Sequence, residues 1–168
     1  MRGVWALFLM LLVFVWSPAG AQTGKFVARF SDWSAYVSES PTNKVCFAIS
    51  QPKDSKPKNV KRGPIYFYIS HWPGDKVRNE ISVKIGYPFK PNAASEVKIG
   101  TNRFKLFTKD EGAFVESVDT EQRLIDAMKT GNTMVVTGRS ARGTLTTDRY
   151  SLNGISAALD KINTECPG

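Results

Sequence analysis

Val45-Cys46-Phe47-Ala48-Ile49 sets its larger apolar side chains two residues apart, the spacing that sends successive side chains to opposite faces of a β-strand. Ile65-Tyr66-Phe67-Tyr68-Ile69 and Ile81-Ser82-Val83-Lys84-Ile85 repeat the arrangement. Working outward, Phe26–Phe30 alternates more weakly and leads into Asp32-Trp33. Phe104 and Leu106 alternate with Arg103 and Lys105, Met134–Thr137 is a compact β-branched run, and Thr144–Leu152 carries Leu145, Tyr150 and Leu152 among threonines. Glycine, proline and asparagine bound most of these runs, which is the signature of short strands joined by turns. So many short strands at close spacing predict a mainly β fold, an antiparallel sandwich or a barrel-like sheet.

Two segments depart from the period of two. Asp119 followed by Gln122 reads as a capping box, Leu124, Ile125 and Met128 recur at helical spacing, and Gly131 fits the position just past a helix end. From Ile155 to Glu165, the residues Ile155, Leu159, Ile162 and Cys166 fall on one helical face. That face must bury itself on the sheet, which turns Cys166 inward at the rim of the core.

The chain opens with a short positive start at Arg2 and an apolar run from Val4 to Trp16, broken at Ser17-Pro18 and followed by the small residues Ala19-Gly20-Ala21. These are the parts of a cleavable export signal; the run falls short of the roughly 20 apolar residues that span a membrane. Residues 1–21 are therefore expected to be removed, leaving residues 22–168 as one domain in an oxidising compartment, with no later stretch apolar enough to cross a bilayer. The formal net charge is +8, and only Arg2 of that balance lies in the signal. A basic surface favours anionic partners; export disfavours nucleic acid among them.

The sequence has two cysteines, Cys46 and Cys166. In an oxidising compartment an isolated pair most simply forms one disulfide; free thiols or a bridge between molecules are the alternatives. Closing a loop of about 120 residues stabilises by about 4 to 5 kcal/mol in the chain-entropy account. Two cysteines and the single histidine, His71, are too few and too scattered for a zinc site, and no cofactor motif is present.

The long segment Gln51–Pro64 holds Lys53, Lys56, Lys58, Lys61 and Arg62 among three prolines. It reads as a loop, either a solvated connection or a surface for anions. Gly138-Arg139-Ser140-Ala141-Arg142-Gly143 lacks Walker spacing and reads as a hairpin turn, with Arg139 and Arg142 as candidate anion contacts. Trp33 is expected in the core, whereas Trp72 ends a strand at Pro73-Gly74 and is a candidate for stacking on a ligand. Catalytic chemistry is not legible. A serine triad would need His71 as base, Gly154-Ile155-Ser156-Ala157-Ala158 lacks the second glycine of a nucleophile elbow, and Asp110-Glu111 sits beside Gly112 in a turn. Glycoside hydrolysis would need two carboxylates facing each other across a cleft.

Phe30-Ser31-Asp32-Trp33, Val45-Cys46-Phe47-Ala48-Ile49-Ser50-Gln51 and Tyr150-Ser151-Leu152-Asn153-Gly154-Ile155-Ser156-Ala157-Ala158-Leu159, followed by Cys166, resemble the invasion associated locus B family of alphaproteobacteria. The resemblance spans nearly the whole chain after the signal. It implies a small, exported, mostly β domain of the periplasm or cell envelope, in some members linked to host-cell entry, with no catalytic residues to carry over. Many members have a cysteine three residues after the tryptophan; here that position is Tyr36, which leaves Cys46 to pair with Cys166. The expectation is a non-enzymatic envelope protein with a binding or accessory role, its partners anionic envelope components or a host surface. The alternatives are a glycan- or lipopolysaccharide-binding module using Trp72 and the lysine-rich loop, and an envelope hydrolase.

Overall fold

Eleven antiparallel strands of the computed structural model, which describes residues 24–167, hydrogen-bond into one continuous sheet. The expected signal peptide, residues 1–21, lies outside the described residues. In chain order the elements are β1 (Lys25–Phe30), β2 (Trp33–Glu39), β3 (Lys44–Ser50), β4 (Asp54–Lys56), β5 (Tyr66–Trp72), β6 (Val77–Lys84), β7 (Ser95–Ile99), β8 (Asn102–Lys109), β9 (Gly112–Phe114), helix α1 (Val118–Thr130), β10 (Thr133–Arg139), β11 (Leu145–Ser151) and helix α2 (Ile155–Glu165). The order across the sheet is β1-β2-β3-β5-β6-β9-β8-β7-β10-β11-β4.

Strand β8 divides the sheet into two leaves. Its first half pairs with β7, from Asn102↔Ile99 to Leu106↔Ser95, and its second half pairs with β9, from Phe107↔Phe114 to Lys109↔Gly112. The leaves face each other, because Trp33 of β2, Phe67 of β5 and Tyr150 of β11 meet edge to face with centroids 6.0 and 5.9 Å apart. The Trp33 indole also donates to the Ser151 carbonyl at 3.0 Å, so the expected core tryptophan fixes one leaf against the other. Edge-to-face contact is the geometry that ring quadrupoles favour.

The inward residues of the first leaf, Ala35, Cys46, Ala48, Phe67, Ile69, Ile81 and Val83, are buried. Helix α2 covers those of β2, β3 and β5, with α1 against β6, and the span and buried face of α2 match the sequence expectation: Ile155, Leu159, Ile162 and Cys166 are all buried. Cys46 and Cys166 form a disulfide with Cα atoms 5.9 Å apart, which places α2 on the inner face of β3. The helix can approach because Gly154, at φ 91°, has its backbone against Phe30; a Cβ there would stand 1.9 Å from the Phe30 carbonyl oxygen. No other residue tolerates both the left-handed backbone and that contact.

Helix α1 ends at Gly131 as expected, but starts earlier than the Asp119 reading. Ser117, in an extended conformation, accepts the Thr120 N–H, and Asp119 falls in the first turn, where its charge complements the helix dipole. The segment Gln51–Pro64 also differs from a pure loop. Asp54–Lys56 forms β4, paired with β11 through Lys56↔Thr147, Ser55↔Asp148 and Asp54↔Arg149. This works because β4 is the outermost strand, where neighbouring prolines cost no ladder bonds. Among the described residues no helix is long and apolar enough to cross a membrane.

Candidate functional site

With α2 on the inner face of β1, β2, β3 and β5, the opposite face of these strands is left to solvent. The register sets its outward side chains in two rows. One runs Phe26, Tyr36, Phe47, Ser70, Glu80 across β1, β2, β3, β5 and β6. The next runs Ile49, Tyr68, Ser82, Phe114, Phe107 across β3, β5, β6, β9 and β8. Phe26 and Tyr36 meet at 5.6 Å, Tyr36 stacks on Phe47 at 5.4 Å and 7° between planes, Phe47 meets Tyr68 at 6.1 Å, and Tyr68 meets Tyr66 at 5.8 Å. Phe107 and Phe114 stack at 5.5 Å on the far side. Phe26 and Phe107 remain 52% and 49% exposed, so the aromatic band is a surface and not a second core.

A groove of about 490 Å³ lies in this face, walled by Phe47, Tyr68, Trp72 and Phe114. Its floor is polar and small: Ser70, Ser82 and the carboxylate of Glu80. The Trp72 indole donates to Glu80 Oε2 at 2.5 Å, which orients the ring. Trp72 stands at a register shift between β5 and β6 and just before the Pro73–Asp75 turn, so the strand's end turns it toward the groove. Burial raises the Tyr68 phenol above its ordinary value, and its hydroxyl stays neutral through the physiological range.

Behind Trp72, His71 points into the core at 1% exposure. Its Nε2 lies 3.2 Å from Asn79 Oδ1, and the Cys166 backbone lies beside the ring. Burial is the main reason its pKa falls below the ordinary 6.5, and the Arg78 charge lowers it further while the Asn79 contact opposes them. The one histidine is thus withdrawn from the groove.

The basic candidates are distributed elsewhere. Lys53 pairs with Asp32 and Lys58 with Asp54, and the Lys53 contact is the largest cause holding the Asp32 carboxyl below its usual value. Lys56 lies on the outermost strand, β4. Arg62 turns inward: Nη1 and Nη2 donate to the two oxygens of the fully buried Asp148 at 2.7 and 2.6 Å, Nε and Nη2 reach the Ile85 carbonyl at 3.1 and 2.7 Å, and the guanidinium stands 5.0 Å above the Tyr87 ring. It anchors the loop to the second leaf. Arg139 donates to the Gly143 carbonyl at 2.9 Å and closes its own hairpin. Lys61 and Arg142 share a separate cleft of about 360 Å³ beside Ser140 and Glu111. None of these cations lines the Trp72 groove, so the structure does not bring Trp72 and the lysine-rich loop together.

Sequence reasoning singled out Trp72 but not Phe47, Tyr68 or Phe114. The available signal was the pair Tyr66 and Tyr68 placed between Ile65, Phe67 and Ile69: a strand whose two faces are both apolar buries one and offers the other. Chemically the groove combines flat ring faces with small hydroxyls and one carboxylate, a surface for stacking and hydrogen bonding without a nucleophile–base pair. No curated protein and no solved structure gives a significant match to the chain. Residues 33–163, which hold the buried Trp33, every strand of the aromatic face but β1, and nearly all of α2, match the family described as invasion associated locus B (IalB) protein, and the chain belongs to that family.

Proposed function

We propose that this chain is an exported, non-enzymatic protein of the bacterial envelope that acts by binding, and that the outer aromatic face of the first leaf is its working surface. The observation that carries the reading is the continuous ring band from Phe26 to Tyr68 with the Trp72 groove beside it. Monomeric proteins seldom leave so large an apolar surface uncovered without using it. Export accords with the Cys46–Cys166 disulfide, since such bonds persist in oxidising compartments, and with the signal-like residues 1–21. A binding role without catalysis accords with three placements: His71 is buried, both cysteines are bridged, and Glu80 is the lone carboxylate of the groove.

The test is co-sedimentation of the purified chain, lacking residues 1–21, with outer membranes and with peptidoglycan sacculi of the source cells. The expected result is retention that falls in Tyr68→Ala and Trp72→Ala and persists in high salt, because stacking is not screened as surface charge is. Equal retention of wild type and both variants, or none at all, overturns it. The family's description as invasion associated favours a host surface as the second destination of the same face. Preferential binding to host cells over envelope fractions would select it.

A further inference from the structure

We propose that the Trp72 groove takes a neutral oligosaccharide; the inference rests on the outer aromatic face being the binding surface. The first argument is shape. Phe47, stacked on its other side by Tyr36, and Tyr68 rise from adjacent strands with Ser70 and Ser82 as their cross-strand neighbours, so small side chains leave the groove side of these rings open. Rings on a flat sheet make a platform, and the C–H face of a pyranose matches a platform. A compact cation is better held by a box of converging rings. The volume of about 490 Å³ falls within the roughly 300–1,000 Å³ usual for ligand clefts.

The second argument is charge. The chain carries a formal +8, yet the groove's only charged lining residue is Glu80. A site built for phosphate or an acidic polymer would place cations there. The third is hydrogen bonding. Glu80 Oε2 takes the Trp72 N–H, whereas Oε1 and the hydroxyls of Ser70 and Ser82 make no hydrogen bond among the described residues. A sugar's hydroxyls satisfy a carboxylate oxygen and serine hydroxyls at once. A protein partner fits less well. Under the groove, β3 and β5 are paired on both sides and β6 is paired on both sides from Ser82 to Lys84, while the Ile81 N–H is taken by Glu121 Oε1, so these stretches offer no free edge for an added strand. An apolar helix laid there would strip water from Glu80 and the serines and return no partner for them.

Trp33 and Trp72 are the tryptophans of the described residues, and Trp33 is fully buried and hydrogen-bonded. Intrinsic fluorescence therefore reports on Trp72 when the chain is expressed without residues 1–21. The probes are chitotetraose, maltotetraose and cellotetraose, each titrated separately, with tetramethylammonium chloride as the cationic comparison. The expected result is a saturable shift of emission by at least one tetrasaccharide, unchanged in high salt and weakened about tenfold in Tyr68→Ala. Ser82→Gln, which fills the floor without removing a ring, should weaken it as well, and circular dichroism verifies folding of each variant. A shift by tetramethylammonium alone, no shift by any tetrasaccharide, or tetrasaccharide binding equal in both variants overturns the proposal. If no tetrasaccharide binds but envelope retention still depends on Tyr68, the sugar assignment fails and the binding face stands. If retention is also indifferent to Tyr68, both fall.

Discussion

The lysine-rich segment 51–64 and the aromatic face of the first leaf are both conspicuous in the chain, and they spend their side chains in opposite ways. The segment's charges are largely consumed within the molecule: Lys53 by Asp32, Lys58 by Asp54, and Arg62 by the buried Asp148. The aromatic face keeps its ring surfaces toward solvent, from Phe26 to Phe107. A count of charges overstates what a loop can offer a ligand, because ion pairs inside the fold use the same groups. Rings side by side along a sheet cover one another only in part and stay partly open to solvent.

The contrast breaks most visibly at Arg62. Arg62→Ala leaves Asp148 buried without a partner and is expected to cost about 3 to 5 kcal/mol, read from urea unfolding. Replacing both members, Arg62→Met with Asp148→Leu, should return most of that stability, and neither change should alter retention on envelope fractions. An Arg62 variant that is fully stable but fails to bind would reverse the contrast. Tyr68→Ala should do the opposite. It gives up ring contacts worth about 0.5 to 1.5 kcal/mol each while cutting retention about tenfold.

His71 gives a smaller, pH-dependent effect behind the groove. Its folded pKa lies below the ordinary 6.5, chiefly from burial. Between the two values the unfolded chain binds a proton that the folded chain refuses, so stability falls as pH drops below 6.5 and levels off once the folded pKa is passed. Chemical unfolding of His71→Gln across that range should show a flatter dependence than wild type. The smallest effect belongs to the exposed pairs. Lys53→Ala and Lys58→Ala should leave unfolding midpoints and envelope retention within experimental error, since exposed ion pairs contribute little.

Helix α2 was legible to the residue, because its apolar period is that of a helix and no strand pattern competes with it. The strands around Cys46, Phe67, Ile81 and Tyr150 were legible for the matching reason. Strands β2 and β7 were not: in Trp33–Glu39 the serines and tyrosine blur the alternation, and Ser95–Ile99 is too short to state it. The two faces of β3 and β5 were beyond the reach of pattern alone. Val45, Phe47 and Ile49 are larger than Cys46 and Ala48, yet the smaller set is buried, because α2 and the disulfide need the room. Trp72 was identified from its position at a strand end, but its companions depend on cross-strand register, which local sequence does not encode. Arg62 misled for a related reason. Its partner Asp148 is 86 residues away, and a lone arginine among lysines looks like one of them.

Under the proposed export, the Cys46–Cys166 bridge has a consequence for the order of events as the chain reaches an oxidising space. A polypeptide delivered N-terminus first presents Cys46 120 residues before its partner arrives. During that interval the sequence offers no second thiol, so the waiting cysteine cannot close a wrong ring within its own chain. It can only meet another molecule. Correct closure then needs the strand of Cys46 to keep its sulfur turned inward until α2 docks, which makes the bridge a seal on a finished sheet and not a guide to its assembly.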